Sequence, residues 1–146
     1  IDGEMRALGL WPDGTAWAIA IEAPDPDRRT PHSVLMLQDA AVATSGDYRH
    51  WVTVQGCLLS RTMDPWKGAL LAASPASVTV VAPTCAEADA WATALMVAGP
   101  SAGAELVARY DLDAHFLLRD GVGGLQTRAI GRLFGGEAAA VAEGQA

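Results

Sequence analysis

The sequence predicts an α+β domain built on antiparallel strand pairs, and three observations carry that prediction. Short alternating or β-branched runs fill the chain as far as Pro83. An Ala-rich helical stretch with a marked start and stop follows, and two more strand-like runs come after it. Strand runs, then helices, then strands again, joined by turn residues, fit antiparallel pairs with helices gathered on one face.

Taken in order, TAWAIAIEAP alternates Trp17, Ile19 and Ile21 on one side, the period of a half-buried strand. DPDRRTP (25–31) is a polar, proline-bearing loop. SVLMLQ and AVATS are short β-like runs separated by Asp39, and SGD (45–47) is a turn signal. YRHWVTV alternates again, Gln55-Gly56 turns the chain, and CLLSRTM reads as one further strand ending at DPWKG (64–68). SVTVVAP (77–83) is the clearest strand, β-branched and stopped by Pro83.

Thr84-Cys85-Ala86-Glu87 then matches a capping box, in which Thr84 accepts an amide and Glu87 reaches back. The helix it opens runs to Gly99-Pro100, a stop signal. Ser101 begins a second helix that offers Ala104, Leu106, Val107 and Tyr110 for packing. AHFLLRD and LQTRAI form a closing hairpin through GVGG (121–124), where no helix start follows to make a phosphate loop. Residues 1–146 read as one domain, with 136–146 a low-complexity, frayed tail.

Composition excludes several classes. Hydrophobic residues make up 51% and charged residues 18% of the 146, which is a packed globule rather than a disordered chain. A net charge of −7 argues against a binder of duplex nucleic acid, which needs a basic face. No apolar run approaches the roughly 18 residues of a transmembrane helix. Cys57 and Cys85 stand in no CxxC arrangement, and free, buried thiols are expected ahead of a bridge. His32, His50 and His115 lack metal-ligand spacing and are expected at the surface or its boundary.

Three stretches carry oxygen or charge in positions that invite chemistry. In AEADAWATALMVAG (86–99), Asp89 and Thr93 are one helical turn apart and direct a carboxylate and a hydroxyl to one place. Hard oxygens of that kind suit Mg²⁺. Read alone, Asp89 as a solvated acid and Thr93 bonded back to a carbonyl is the plainer account. In SRTMDPWKG, Arg61 is a natural phosphate partner, while Asp64 is an acceptor or a turn-former. In ATSGDYRHW, Ser45-Gly46 lets backbone come close to another group and Arg49 can meet an anion, although a hairpin turn explains the same residues.

Together and in this order, AVATSGDYRHWV, RTMDPWKG and SVTVVAPTCAEADAWATALMVAG closely resemble the C-terminal half of the ApbE family of flavin transferases. That family carries TSGxYR, H-x-x-D-P-x-x-G and A-D-A-x-A-T segments, and DGEMRALG here resembles its GGE-x-R-x-x-G. The resemblance implies the family fold and a Mg²⁺-dependent FAD:protein FMN transferase. Such an enzyme attaches FMN to a Thr or Ser of an acceptor flavoprotein and releases AMP. It implies that Asp89 and Thr93 hold the metal, and that Thr62, Met63 and Asp64 lie along the flavin nucleotide with Ser45 and Gly46 beside it. It further implies a periplasmic or membrane-associated setting.

Two departures qualify what it implies. Arg61 stands where the family has His; a neutral imidazole accepts a proton near pH 7, whereas a guanidinium does not. Family members are about twice this length or more, so activity is expected to need an N-terminal half, met as a separate segment or a second copy. The alternatives are a non-catalytic FAD-binding member and a plain interaction domain.

Overall fold

The computed structural model describes residues 3–48, 51–54, 57–71, 74–121 and 123–134. Its centre is a five-stranded antiparallel sheet in the order β1 (Met5–Arg6), β4 (Ala41–Gly46), β9 (Ser77–Ala82), β10 (Asp113–Arg119), β11 (Leu125–Ile130). The hairpin β2 (Trp17–Glu22) and β3 (Pro31–Leu37) makes a second, two-stranded sheet. Two small ribbons, β5 (Trp51–Val54) with β6 (Cys57–Ser60) and β7 (Met63–Asp64) with β8 (Ala69–Leu70), extend the chain between β4 and β9. Among the described residues one helix is present, α1 (Cys85–Arg109), which follows β9.

Strand β9 is buried along its whole length, which is why its sequence is a β-branched run rather than an alternation. Successive side chains point to opposite faces. Val78 and Val80 pack under α1 with Leu95, Met96, Val107, Ala114 and Phe116. Val81, one residue on, belongs to the other face, with Val42, Ile21, Leu35 and Leu37 beneath the β2–β3 hairpin. The central sheet thus has the helix on one face and the hairpin on the other, as expected for an α+β domain. Ala43, Ala82 and Ala88 form a contact of small side chains where α1 crosses β4 and β9, so helix and sheet backbones approach closely.

The expected stop at Gly99-Pro100 falls inside α1 and breaks it into two limbs. Gly99 adopts φ 73° and ψ 177°, and Pro100 follows it within the helix span. Pro100 has no amide to donate and excludes helical backbone at the residue before it. Glycine is the residue that accepts the resulting left-handed φ at little cost. The second limb packs tightly, for a Cβ added at Gly103 would sit 3.0 Å from the Phe116 ring.

Three expectations need correction. CLLSRTM is two strands, not one, because the Thr62 amide turns back to donate to Ser60 Oγ at 3.2 Å and interrupts the ladder. Cys85 is a free thiol but only half-buried, because it occupies the first turn of α1; the side chain of Cys57 lies outside what is described. His115 is not at the boundary but 5% exposed, on the hairpin face of β10, with its ring 5.8 Å from that of His32 and 5.4 Å from that of Phe134. Arg49, His50 and the expected tail 136–146 lie outside the described residues. No helix among the described residues is long and apolar enough to cross a membrane.

Burial, and secondarily the charge of His32, lowers the His115 pKa from 6.5 to about 4. The unfolded chain then takes up a proton at this residue in a pH range where the folded chain does not. Stability present above pH 6.5 therefore falls as the pH drops towards 4, by on the order of 3 kcal/mol. His115→Leu is expected to flatten urea-derived stability against pH in that window. Leu95→Ala, in the helix-face core, is expected to cost about 2–5 kcal/mol at neutral pH by the same measurement.

Candidate functional site

The limb of α1 that carries the expected metal pair is fixed at its start by the capping box the sequence predicts. The Glu87 amide donates to Thr84 Oγ1 at 3.2 Å, and the Thr84 amide and hydroxyl donate to Glu87 Oε2 at 3.2 and 2.8 Å. Ala88, Ala92, Leu95 and Met96 face the sheet and are buried. Asp89 and Thr93, each about 100° further round the helix, stand at the edge of that face and are exposed. With alanines at 90 and 94 beside them, nothing bulky on the helix covers the pair.

Register brings the strand motif to this helix. Ala43 pairs with Val80 and Ser45 with Val78, so Ser45 shares the helix-facing side of β4. Its Oγ lies 3.0 Å from Thr93 Oγ1, across a sequence separation of 48. The partner of Thr93 is therefore Ser45, not a carbonyl one turn back. Thr44, next along, faces the hairpin side and bonds Thr79 Oγ1 at 2.8 Å. Alternation along one strand thus assigns one hydroxyl to the site and one to the core.

Gly46 is a close-approach position, as the sequence suggests, but the approaching group belongs to the protein. A Cβ there would lie 2.6 Å from Cε1 of Tyr48 and 3.3 Å from the carbonyl oxygen of Ala76. The Tyr48 hydroxyl in turn donates to Glu22 Oε2 at 3.2 Å, tying the motif to the β2–β3 hairpin.

Sequence reasoning missed Asp47. It reads as the last residue of a turn signal, yet it is 1% exposed. Arg119, at the end of β10, donates to both its carboxylate oxygens, at 2.5 and 3.0 Å. Ser74 Oγ adds a third bond of 2.7 Å. The pair is the forked guanidinium–carboxylate arrangement, strong and directional. It pins the end of β4, two residues past Ser45, to the end of β10. Each residue alone is unremarkable, and only the sheet order brings positions 47 and 119 together.

The third stretch forms a turn of its own. Asp64 is 8% exposed, and its Oδ1 accepts from the amides of Trp66 at 2.9 Å and Lys67 at 3.3 Å. Lys67 Nζ lies 3.4 Å from the other oxygen. Desolvation raises the Asp64 pKa, but those amides and the ammonium outweigh it and hold the carboxyl below its ordinary value. Of its neighbours, Thr62 is half-buried, while Arg61 and Met63 are exposed. The structure therefore brings Ser45 and Thr93 together directly, and Asp89 with them through the helix. Among the described residues, no hydrogen bond or ion pair joins the 61–68 segment to that group.

Asp89 and Thr93 could hold one hard cation. Among the described residues there is no cluster of three or more His, Cys, Asp or Glu side chains that would hold a metal by protein ligands alone. The donor set fits Mg²⁺, which commonly takes one or two protein oxygens and completes its shell with phosphate and water. The facing ends of β10 and β11 are joined by Asp120 N to Gly124 O at 3.1 Å and Gly124 N to Asp120 Oδ1 at 2.8 Å.

The antiparallel sheet with a helix on one face matches the fold of solved flavin transferases. The chain belongs to the ApbE family, whose model matches residues 1–116. It is 35% identical over 121 residues to an FAD:protein FMN transferase of Escherichia coli K12, covering 83% of this chain and 34% of that protein. A Vibrio cholerae FAD:protein FMN transferase is 43% identical over 103 residues, 70% of this chain and 31% of its own. Among solved structures, the apo flavinyl transferase ApbE of Pseudomonas stutzeri matches with a TM-score of 0.75 and 39% identity, over 93% of this chain and 42% of that one. The flavin transferase ApbE of Vibrio cholerae matches with a TM-score of 0.72 and 35% identity, over 88% and 40%. The chain spans about a third of the length of the curated relatives it matches.

Removing one member of the Asp47–Arg119 pair tests the clamp. Arg119→Met leaves a carboxylate buried without its cation and is expected to cost about 3–5 kcal/mol in urea unfolding. Asp47→Asn leaves a guanidinium that already reaches water, at 40% side-chain exposure, and is expected to cost clearly less.

Proposed function

We propose that this chain provides the metal-facing part of an FAD:protein FMN transferase, and that Asp89 and Thr93 hold its Mg²⁺. The observation that carries the reading is the 3.0 Å contact between Ser45 and Thr93. It links the strand segment and the helix segment through which the chain resembles flavin transferases. The family match and the named relatives supply the substrate class. The full activity is expected to draw on the family's N-terminal portion as well.

In the reaction, the hydroxyl oxygen of an acceptor Thr or Ser attacks the FMN-side phosphorus of FAD. A new phosphoester bond forms, the pyrophosphate P–O bond breaks, AMP leaves with that oxygen, and the hydroxyl proton passes to solvent or to a phosphate oxygen. Transfers of this kind depend on positioning and charge neutralisation more than on covalent participation by the protein. When bound, Mg²⁺ supplies neutralisation of the pyrophosphate charge. The work of the chain is to hold the two ligands. The capping box fixes the helix start, the core fixes its rotation, and Ser45 fixes the Thr93 rotamer. Arg61 adds a cation to the nucleotide-facing segment with Thr62, Met63 and Asp64, and leaves the acceptor proton to another group.

A second reading rests on Arg61 alone: a member that binds FAD without transferring FMN. The two differ in outcome when transfer is followed by flavin fluorescence on the acceptor in gels. Asp89→Ala is expected to lower transfer by more than about 100-fold, beyond the effect typical of residues that only orient a ligand. Ser45→Ala is expected to fall in that orienting range, about 10–100-fold in Mg²⁺ affinity, recoverable at high Mg²⁺. Full activity in Asp89→Ala would sink the transferase proposal. FAD binding without transfer in the wild type, with transfer gained in Arg61→His, would favour the second reading.

A further inference from the structure

The ribbon of β7 and β8 ends in a tip, Pro65 to Gly68, that is unusual in two respects. Its backbone is held from within: the buried Asp64 carboxylate accepts two tip amides, and the Gly68 amide donates to Asp64 O at 2.8 Å. At its apex Trp66 is 92% exposed. No ring or guanidinium among the described residues stacks on it. A large aromatic is ordinarily the group a fold covers first. Here a rigid turn presents it outward instead.

The surroundings say what could cover it. Met63, on β7, is 55% exposed and extends the apolar surface below the tip. Lys67 beside it is 78% exposed at the side chain, and Arg61 is exposed with no ion-pair partner among the described residues. Lys67 pairs with Asp64 at 3.4 Å, so the 61–68 segment keeps one net positive charge beside its apolar centre, in a chain of net charge −7. Tryptophan is enriched among the residues that dominate protein–protein binding, and a preorganised backbone loses little freedom when it docks.

We propose that this tip is a docking surface for the acceptor polypeptide, taking an extended, acidic segment that flanks the hydroxyl to be modified. The inference rests on the transferase reading for the identity of its occupant. An acceptor that must bring a side-chain hydroxyl to a phosphate has to lay its backbone over the rim of the nucleotide site. The tip is continuous in sequence with the residues proposed to face the nucleotide, Thr62 to Asp64. Trp66 contributes the contact area, and Lys67 and Arg61 select for acid.

The test is direct binding. A fluorescent peptide with a central Thr flanked by Asp and Glu, and its counterpart flanked by Lys, are titrated against the chain by anisotropy, with FAD affinity measured separately by flavin quenching. The wild type is expected to prefer the acidic peptide. Trp66→Ala is expected to weaken that peptide about tenfold or more and leave FAD affinity in place, while Trp66→Phe retains most of the binding. Lys67→Glu is expected to narrow the preference, as is added salt. Circular dichroism and urea unfolding establish that each variant is folded. Equal peptide binding by Trp66→Ala, no acidic preference in the wild type, or a loss of FAD affinity in place of peptide affinity each overturns the proposal. A protein that also carries the family's N-terminal portion, shows the binding pattern and moves no FMN supports the docking surface and sinks the transferase reading.

Discussion

Strand β9 is buried on both faces, and everything that matters in this molecule is measured from it. Val78 and Val80 fix the rotation of α1 by filling the space under Leu95 and Met96. That rotation decides which helical residues reach solvent. Asp89 and Thr93 stand outward because Ala88 and Ala92 stand inward. On its other side β9 pairs with β4 in the register that sets Ser45 opposite Val78. A one-residue slip of that pairing would turn Ser45 to the hairpin side and separate it from Thr93. The polar contact in the site is thus a consequence of apolar packing in the sheet.

Charge reinforces that geometry at one point. The Asp47–Arg119 pair sits at the far end of β4 and β10, with the carboxylate inside and the guanidinium reaching water. Buried ion pairs stabilise little on balance, since desolvation offsets the attraction. Their effect is to make other arrangements costly. A β4 end displaced from β10 would leave Asp47 charged and unpaired. The residues just before it, Ser45 and Gly46, inherit that constraint.

How much of this was legible in the sequence depends on the range of each interaction. The helix start was, because Thr84 and Glu87 cap within one turn, and so was its break, because Gly99-Pro100 is a local prohibition. The closing hairpin was legible for the same reason. Asp89 and Thr93 were visible as a pair one turn apart, but not the identity of the Thr93 partner, which depends on strand register. Asp47 gave no signal, since its partner is 72 residues away. The burial of His115 was missed, since the side chain alone suggested the surface and its place on β10 opposite Thr79 depends on strand register. The split of CLLSRTM turned on one side-chain bond from Ser60, which competes with the ladder and leaves no periodic trace.

The break in α1 has a mechanical meaning. Because Pro100 donates no amide and Gly99 leaves the helical region, the ladder of hydrogen bonds is interrupted between the two limbs. Arg128, from β11, donates to the Pro100 carbonyl at 3.0 Å and sets a positive charge at the junction, where the dipole of the first limb favours one. Fraying that begins at Arg109 therefore meets a firebreak before it reaches the turn of Thr93. The limb with the oxygen pair can behave as its own cooperative unit, protected from the transient openings of the limb beyond it.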